Sequence, residues 1–174
     1  MLVGVFKGTD ANGHPYLGMS LSNLADLYQT TGEYAKAESL YREALGVYQT
    51  LFPEDKYPNG HPALARSIND LGHLHKAVGG YAKAEPLYRE ALAMCRDLFP
   101  KDKYPNGHAD LARSINNLGH LHKAIGEYAE AEPLYREALN MCRALYARFG
   151  SPAVKPIGSS SSHLPILGSY MVSS

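Results

Sequence analysis

Two matching sets of polar residues are the chain's clearest candidates for binding chemistry. Within each set the residues are spaced by three, four and three, which places them on one face of an α-helix. Arg and Lys provide charge-assisted donors for carboxylates, and Asn can pair with an extended peptide backbone. The sets are Arg66, Asn69, His73 and Lys76, and Arg113, Asn116, His120 and Lys123, with Asn117 beside the second.

The histidines within these sets do not assemble a metal site. His73 and His75 are two residues apart, as are His120 and His122, so the members of each pair point to different faces of a helix. No carboxylate or thiol completes a ligand set at metal-binding spacing. His75 and His122 occupy the slot that Tyr28 holds earlier in the chain, and we expect both to be buried by packing.

Catalytic motifs are missing from the sequence as well. There is no Gly-x-Ser-x-Gly nucleophile elbow and no Gly-rich phosphate-binding loop. We therefore expect no enzyme activity, no catalytic residues, no cofactor and no bound metal.

The polar sets belong to a longer repetition with a period of 47 residues. Segments 57–99 and 104–146 are identical at 34 of 43 positions, and a more divergent third copy lies upstream. A repeat that cannot bury its own apolar face must stack on its neighbours. We divide the chain into units 12–58, 59–105 and 106–150, and each unit opens on Asn-Gly-His.

The flanking segments match this repeat poorly. Residues 1–11 are either a worn repeat edge, an N-terminal extension, or the sign that the chain begins inside a longer array. Residues 151–174 are rich in Ser, Pro and Gly, a composition typical of disorder.

Apolar residues recur at intervals of three and four within each unit and predict two helices per unit. Gly ends the first helix of each pair, and Pro or Gly ends the second. The predicted helices span 15–31, 34–52, 62–78, 81–99, 109–125 and 128–149. The last turn of the third helix includes Val78, which we place on its apolar side.

Composition narrows the function classes. With 17 basic and 17 acidic residues, the formal charge is zero and gives no global attraction to nucleic acid or membranes. No apolar run approaches the roughly 18 residues of a membrane span, so we expect a cytoplasmic protein. Cys95 and Cys142 occupy the same slot in successive units, and stacked helices lie about 8–10 Å apart. That separation exceeds the disulfide limit of about 7 Å, and we expect two reduced packing thiols.

The repeat resembles the tetratricopeptide repeat (TPR) family, specifically its kinesin-light-chain-like class. The motifs that carry the resemblance are Asn-Leu-Gly at 117–119, Gly-Glu-Tyr at 126–128, Ala131, Glu-Pro-Leu-Tyr at 132–135 and Ala-Leu at 138–139. The class usually has a unit of about 42 residues. Here the connector is longer and contains Asp-Lys-Tyr-Pro-Asn-Gly, similar to connectors in bacterial multi-repeat signalling proteins.

The resemblance implies an all-α, right-handed α-solenoid of three helix-turn-helix repeats that acts as a protein-interaction scaffold. The polar face of the first helices would line a concave groove that binds a peptide, here an acidic one. The first unit instead offers Met19, Ser22, Asp26 and Gln29, so we expect a groove that is basic at one end only. The family's carboxylate clamp is not reproduced.

Three alternatives to a binding groove remain open. Duplication copies residues whether or not they are used, so the polar sets could be solvated helix faces. The chain could also be a structural array that self-associates through its exposed repeat ends, or a fragment of a larger signalling protein.

Overall fold

The computed structural model describes residues 13–148, which form six α-helices and no strand. The terminal segments 1–11 and 151–174 discussed above lie outside this range. The helices are α1 (Gly13–Thr30), α2 (Tyr34–Leu51), α3 (Pro62–Ala77), α4 (Tyr81–Leu98), α5 (Ala109–Ala124) and α6 (Tyr128–Arg148). Every predicted helix is confirmed, with ends within two residues of the prediction.

Consecutive helices pack as antiparallel pairs, and each pair stacks on the next through α2 with α3 and α4 with α5. The predicted all-α solenoid of tetratricopeptide-like repeats is therefore confirmed. The tight turn inside each pair rests on a glycine with a left-handed backbone, and Gly79 has φ 75°. Glycine adopts this conformation without the steric penalty of a Cβ atom.

Small residues let the paired helices approach closely. Ala84 and Ala91 on α4 are fully buried, and so is Tyr88, which packs over Gly72 of α3. A Cβ atom at Gly72 would lie 2.8 Å from Tyr88 Cε1, too close for any real contact. The absence of a side chain at Gly72 therefore leaves room for the ring of Tyr88.

Histidine caps the first helix of the second and third repeats, which the sequence analysis did not foresee. The Nδ1 atom of His61 accepts a hydrogen bond from the Ala63 backbone N–H at 3.1 Å, and His108 does the same for Asp110 at 3.2 Å. These bonds satisfy one of the unpaired N–H groups at each helix start. In the second and third repeats the histidine of Asn-Gly-His is thus the helix N-cap.

The long connector folds into an aromatic cluster. In the second connector, Phe99 stacks on His108 with ring centroids 3.7 Å apart, and Tyr104 meets Phe99 edge-on at 5.3 Å. Gly107 has φ 80° and touches Met141 on α6 so closely that a Cβ atom would lie 2.3 Å from Met141 Cγ. The connector therefore packs against α6, the second helix of the repeat that follows it.

Two details differ from the sequence analysis. Val78 is 49% exposed, because α3 ends at Ala77 and the chain turns away from the apolar side. Both cysteines are free thiols, but only Cys95 is a packing residue. Cys142 is exposed because no described helix covers α6 as α5 covers α4.

Replacing Ala138 by Phe should overpack the contact between α5 and α6. Ala138 is 1% exposed within the core cluster that contains Leu118 and Leu121, and inserting a large side chain in such a site costs about 1–3 kcal/mol. Chemical denaturation should show this loss in the free energy of unfolding. The matched control is Ala129→Phe at an exposed position of α6, and equal stability of the two variants would refute the assignment.

Candidate peptide-binding groove

The first helices of successive repeats lie side by side. In the described residues the backbone of α3 approaches those of α1 and α5 closely, whereas the backbones of α2 and α4, and of α4 and α6, stay further apart. Between α4 and α6 the long side chains of Arg96 and Glu137 span the gap at 3.8 Å. Curvature brings elements together on the inner side of a stack and separates them on the outer side. The inner face is therefore formed by α1, α3 and α5, the helices that carry the two predicted polar sets.

Two of the predicted groove residues are buried between repeats. Asn69 is 2% exposed and donates from Nδ2 to Ser114 Oγ at 3.1 Å. Asn117 is 6% exposed, and its Oδ1 lies 3.2 Å from His73 Nε2. A buried amide that pairs with the neighbouring repeat fixes the stacking register. In this structure the amides of Asn69 and Asn117 therefore join α3 to α5.

Each of the two groove histidines contacts a tyrosine from the same repeat. His73 meets Tyr88 edge-on with ring centroids 5.6 Å apart, and His120 Nδ1 lies 2.8 Å from the Tyr135 hydroxyl. Burial lowers the pKa of His73 below its usual range, and the positive charge of Lys76 adds to the effect. Burial and the nearby lysines also lower the pKa of His120. Both rings are therefore neutral at physiological pH.

The positive charges of the predicted sets remain accessible to differing degrees. Arg66, Arg113 and Lys123 are exposed, while Lys76 is half-buried and its pKa is lowered by that burial. Arg113 is also tethered, since its Nη2 donates to Asp110 Oδ1 at 2.7 Å. These cations lie on α3 and α5.

Two carboxylates, those of Asp26 and Asp70, complete the inner face and make it more negative toward the first repeat. Asp26 accepts a hydrogen bond from the Tyr41 hydroxyl. Burial and the nearby charge of Asp26 together raise the pKa of Asp70 to about 6, against the opposing charges of Arg113 and Arg66. The sequence analysis did not include Asp70 in the site. The sequence could have identified Asp70, because Asp70 occupies the same position in the second repeat as Asn117 does in the third.

Four of the predicted residues meet at one shallow cavity of about 560 Å³ on the free side of the third repeat. Its remaining walls come from the start of α5 and the end of α6. The predicted residues that line it are Arg113, Asn116, Asn117 and His120, beside Cys142, Leu145 and Tyr146. Asn116 is half-buried there, whereas its counterpart Asn69 is covered by α5.

The other histidine pair behaves as predicted. His75 and His122 are 7% and 6% exposed and belong to the packed side of their helices. His122 Nδ1 also lies 2.6 Å from Glu127 Oε2, a partner that Gly80 cannot provide to His75. Within residues 13–148, no three His, Cys, Asp or Glu side chains are grouped as metal ligands would be.

The connectors form two further cavities that sequence reasoning missed. One, of about 620 Å³, lies between the first connector and α4, with Tyr57, Gly60 and Met94 in its walls. The other, of about 450 Å³, lies between the second connector and α6, with Tyr104, Gly107 and Met141 at the same places. They follow from the aromatic connector cluster and recur with the repeat.

Comparison with known proteins decides the family. A sequence profile described as "Tetratricopeptide repeat" matches residues 17–63, 64–103 and 111–149, well over half of the chain. The chain belongs to the tetratricopeptide repeat family. Proteins built from these repeats are typically scaffolds for protein–protein interactions and are generally not enzymes.

Solved structures with the same repeat architecture are kinesin light chain-like. A variant of a Podospora anserina protein, described as a kinesin light chain with nearly identical TPR-like repeats, has a TM-score of 0.61 at 20% identity. The match covers 82% of this TPR chain and 61% of that one. A second Podospora anserina structure of the same description gives 0.56 at 22% identity, covering 82% and 60%.

The TPR chain thus spans about three fifths of these two structures, and at such identity the likeness shows the fold alone. The sequence has no significant match among curated proteins. No described helix combines the length and apolar character needed to cross a bilayer.

Replacing Asp70 by Asn should stabilise the protein above pH 6. Because the folded state raises the Asp70 pKa from 3.8 to about 6, it holds a proton that the unfolded chain releases between those values. The Asp70 contribution to stability therefore falls as pH rises from about 4 to 6, and the variant avoids this loss. We expect a gain of about 1–2 kcal/mol at pH 7.5 that vanishes near pH 4.

Denaturant unfolding at both pH values measures this effect. Asp102→Asn, in the exposed second connector, is the matched control and should change neither value. A gain that is equal at pH 4 and pH 7.5 would show that charge is not its cause.

Proposed function

We propose that this TPR array is a non-catalytic scaffold that binds an acidic peptide segment along the inner face of α1, α3 and α5. The observation that carries the proposal is the accessible row of cations on α3 and α5. Exposed guanidinium and ammonium groups at successive helices can donate charge-assisted hydrogen bonds to carboxylates spaced along an extended peptide. A cytoplasmic location, expected from the sequence, belongs to the same proposal.

Charge along the inner face favours one orientation of the peptide. Asp26 and Asp70 lie toward the first repeat, and Arg113 and Lys123 lie toward the third. Like charges placed across an interface oppose binding. The charge pattern of the inner face therefore sets the register of the bound peptide as well as the strength of its attraction. Acidic residues of the peptide would therefore lie over α5, and its neutral or basic residues over α1.

The groove proposal assigns different tasks to the predicted residues. Arg66, Arg113 and Lys123 contact the peptide, with Lys76 as a half-buried fourth cation. Asn116 and His120 line the adjoining cavity and can hydrogen-bond a peptide backbone. Asn69, Asn117 and His73 hold the repeats in register through the contacts across α3 and α5.

Charge reversal tests the groove directly. The triple variant Arg66→Glu, Arg113→Glu, Lys123→Glu should lose at least tenfold in affinity for acidic peptides, measured by fluorescence anisotropy against an array of acidic and neutral sequences. Reversing the exposed Arg42, Arg89 and Arg136, each paired with a glutamate one turn away on a second helix, is the matched control. Equal losses in the two variants would contradict the groove, as would a wild-type chain that prefers neutral peptides.

Acidic-peptide affinity should also depend on pH, through His73 and His120. Because burial lowers both pKa values, the rings gain positive charge only below the usual imidazole value of about 6.5. Affinity should stay level from pH 8 to about 6.5 and rise as pH falls further. Titrations with a peptide whose acidic groups are sulfonates keep the ligand charge constant, and the Asp70→Asn variant removes the inner-face carboxyl that titrates near pH 6. Affinity of that variant that does not change down to pH 5.5 would contradict the role of the histidines.

Self-association through the ends of the array is the other partner interaction that the sequence suggests. Its surface overlaps the peptide site at Asn116 and His120, which line the cavity on the free side of the third repeat, whereas Arg66 and Lys123 belong to the inner face alone.

A further inference from the structure

Both ends of the described array expose apolar side chains in a row. On α1, Leu17, Leu24 and Leu27 are 40%, 42% and 56% exposed. On α6, Leu139 and Tyr146 are 49% and 56% exposed. Rows of large apolar residues on a helix face are typical of surfaces that meet another protein.

Each of these residues has a buried counterpart inside the array. Leu111, Leu118 and Leu121 on α5 correspond to the α1 row and are 7%, 4% and 0% exposed. Leu92 and Phe99 correspond to the α6 pair and are 4% and 7% exposed. These five residues share one core cluster, in which α5 covers α4. The two ends of the array are therefore the two halves of an interface that the chain already forms internally.

Polar residues at the ends match the same interface. Across it, Asn69 donates to Ser114, His73 pairs with Asn117, and Cys95 Sγ lies 3.3 Å from Ser114 Oγ. The residues at the corresponding positions of the third repeat are Asn116, His120 and Cys142, and those on α1 are Ser20 and Asn23. Residues of the same or similar type as the partners in these contacts are therefore present at the two opposite ends of the described array.

The junction between the first and second repeats is a poorer match. There Asp26 takes the place of His73 and faces Asp70 in the place of Asn117, so two carboxylates meet. Ser22 replaces Asn69, and the buried Ser67 hydroxyl finds no hydrogen-bond partner among the described residues. The polar residues at the two free ends therefore match each other better than those on the two sides of this internal junction do.

We propose that the partner of each end face is a second copy of this chain, packed head to tail. In this arrangement α1 of one copy covers α5 and α6 of the next, as α5 covers α3 and α4 within the chain. The interface is heterologous, because different surfaces meet, so a free α1 and a free α6 remain after each addition. Assembly extends the solenoid and its inner face, and it requires no bound peptide.

Sedimentation equilibrium of the full chain over a wide concentration range tests the assembly. The average mass should rise with concentration and pass twice the 19.0 kDa of one chain. A constant monomer mass would overturn the proposal, as would a plateau at a closed dimer.

Two charged variants test the head-to-tail geometry. Leu24→Glu blocks the α1 face and Leu139→Glu blocks the α6 face, so each variant alone should be monomeric. An equimolar mixture should form a species of two chains, because the mixture retains one intact pair of faces. Dimers of either variant alone, or a mixture that stays monomeric, would overturn the proposal.

Matched measurements keep folding and assembly apart. Ala82→Glu alters a position that stays exposed in the middle repeat although both neighbours are stacked on it, so this variant should assemble as the wild type does. Circular dichroism should show unchanged helix content in all variants. Tyr146→Glu is a second block of the α6 face if Leu139→Glu loses helicity.

Discussion

The structure depends on the surface where one helix pair covers the next. Tyr88 on α4 and Ile115 on α5 are both fully buried there, although each belongs to a different repeat. A single pair has too little interior to hold such side chains away from water, so the folded state exists only through stacking. Helix ends, connectors and groove all take their positions from this contact.

Stacking also determines which polar residues can meet a ligand. Repeats that pack closely enough to bury Tyr88 bring α3 and α5 together, and the amides of Asn69 and Asn117 are enclosed in the process. The longer side chains of Arg66 and Arg113 reach past this contact to solvent. Identical spacing along a helix therefore yields residues with different tasks, because the neighbouring repeat covers some positions and leaves others open.

Electrostatics vary along the array even though the backbone repeats. At one junction a neutral His73–Asn117 pair joins the repeats, and at the other Asp26 raises the pKa of Asp70. Both pairs occupy equivalent places, so the difference comes from the side chains alone. A repeat protein can thus keep one fold while its inner face changes from acidic to basic.

The sequence alone determined the number, type and limits of the helices, since a 47-residue period with apolar spacing of three and four admits one local structure. It also placed His75 and His122 in the core. Only the tertiary structure decided that Asn69 is buried, that Asp70 belongs to the inner face, and that the connector forms an aromatic cluster around His108. These facts depend on distances between repeats, and a local pattern contains no information about what the adjacent repeat will cover.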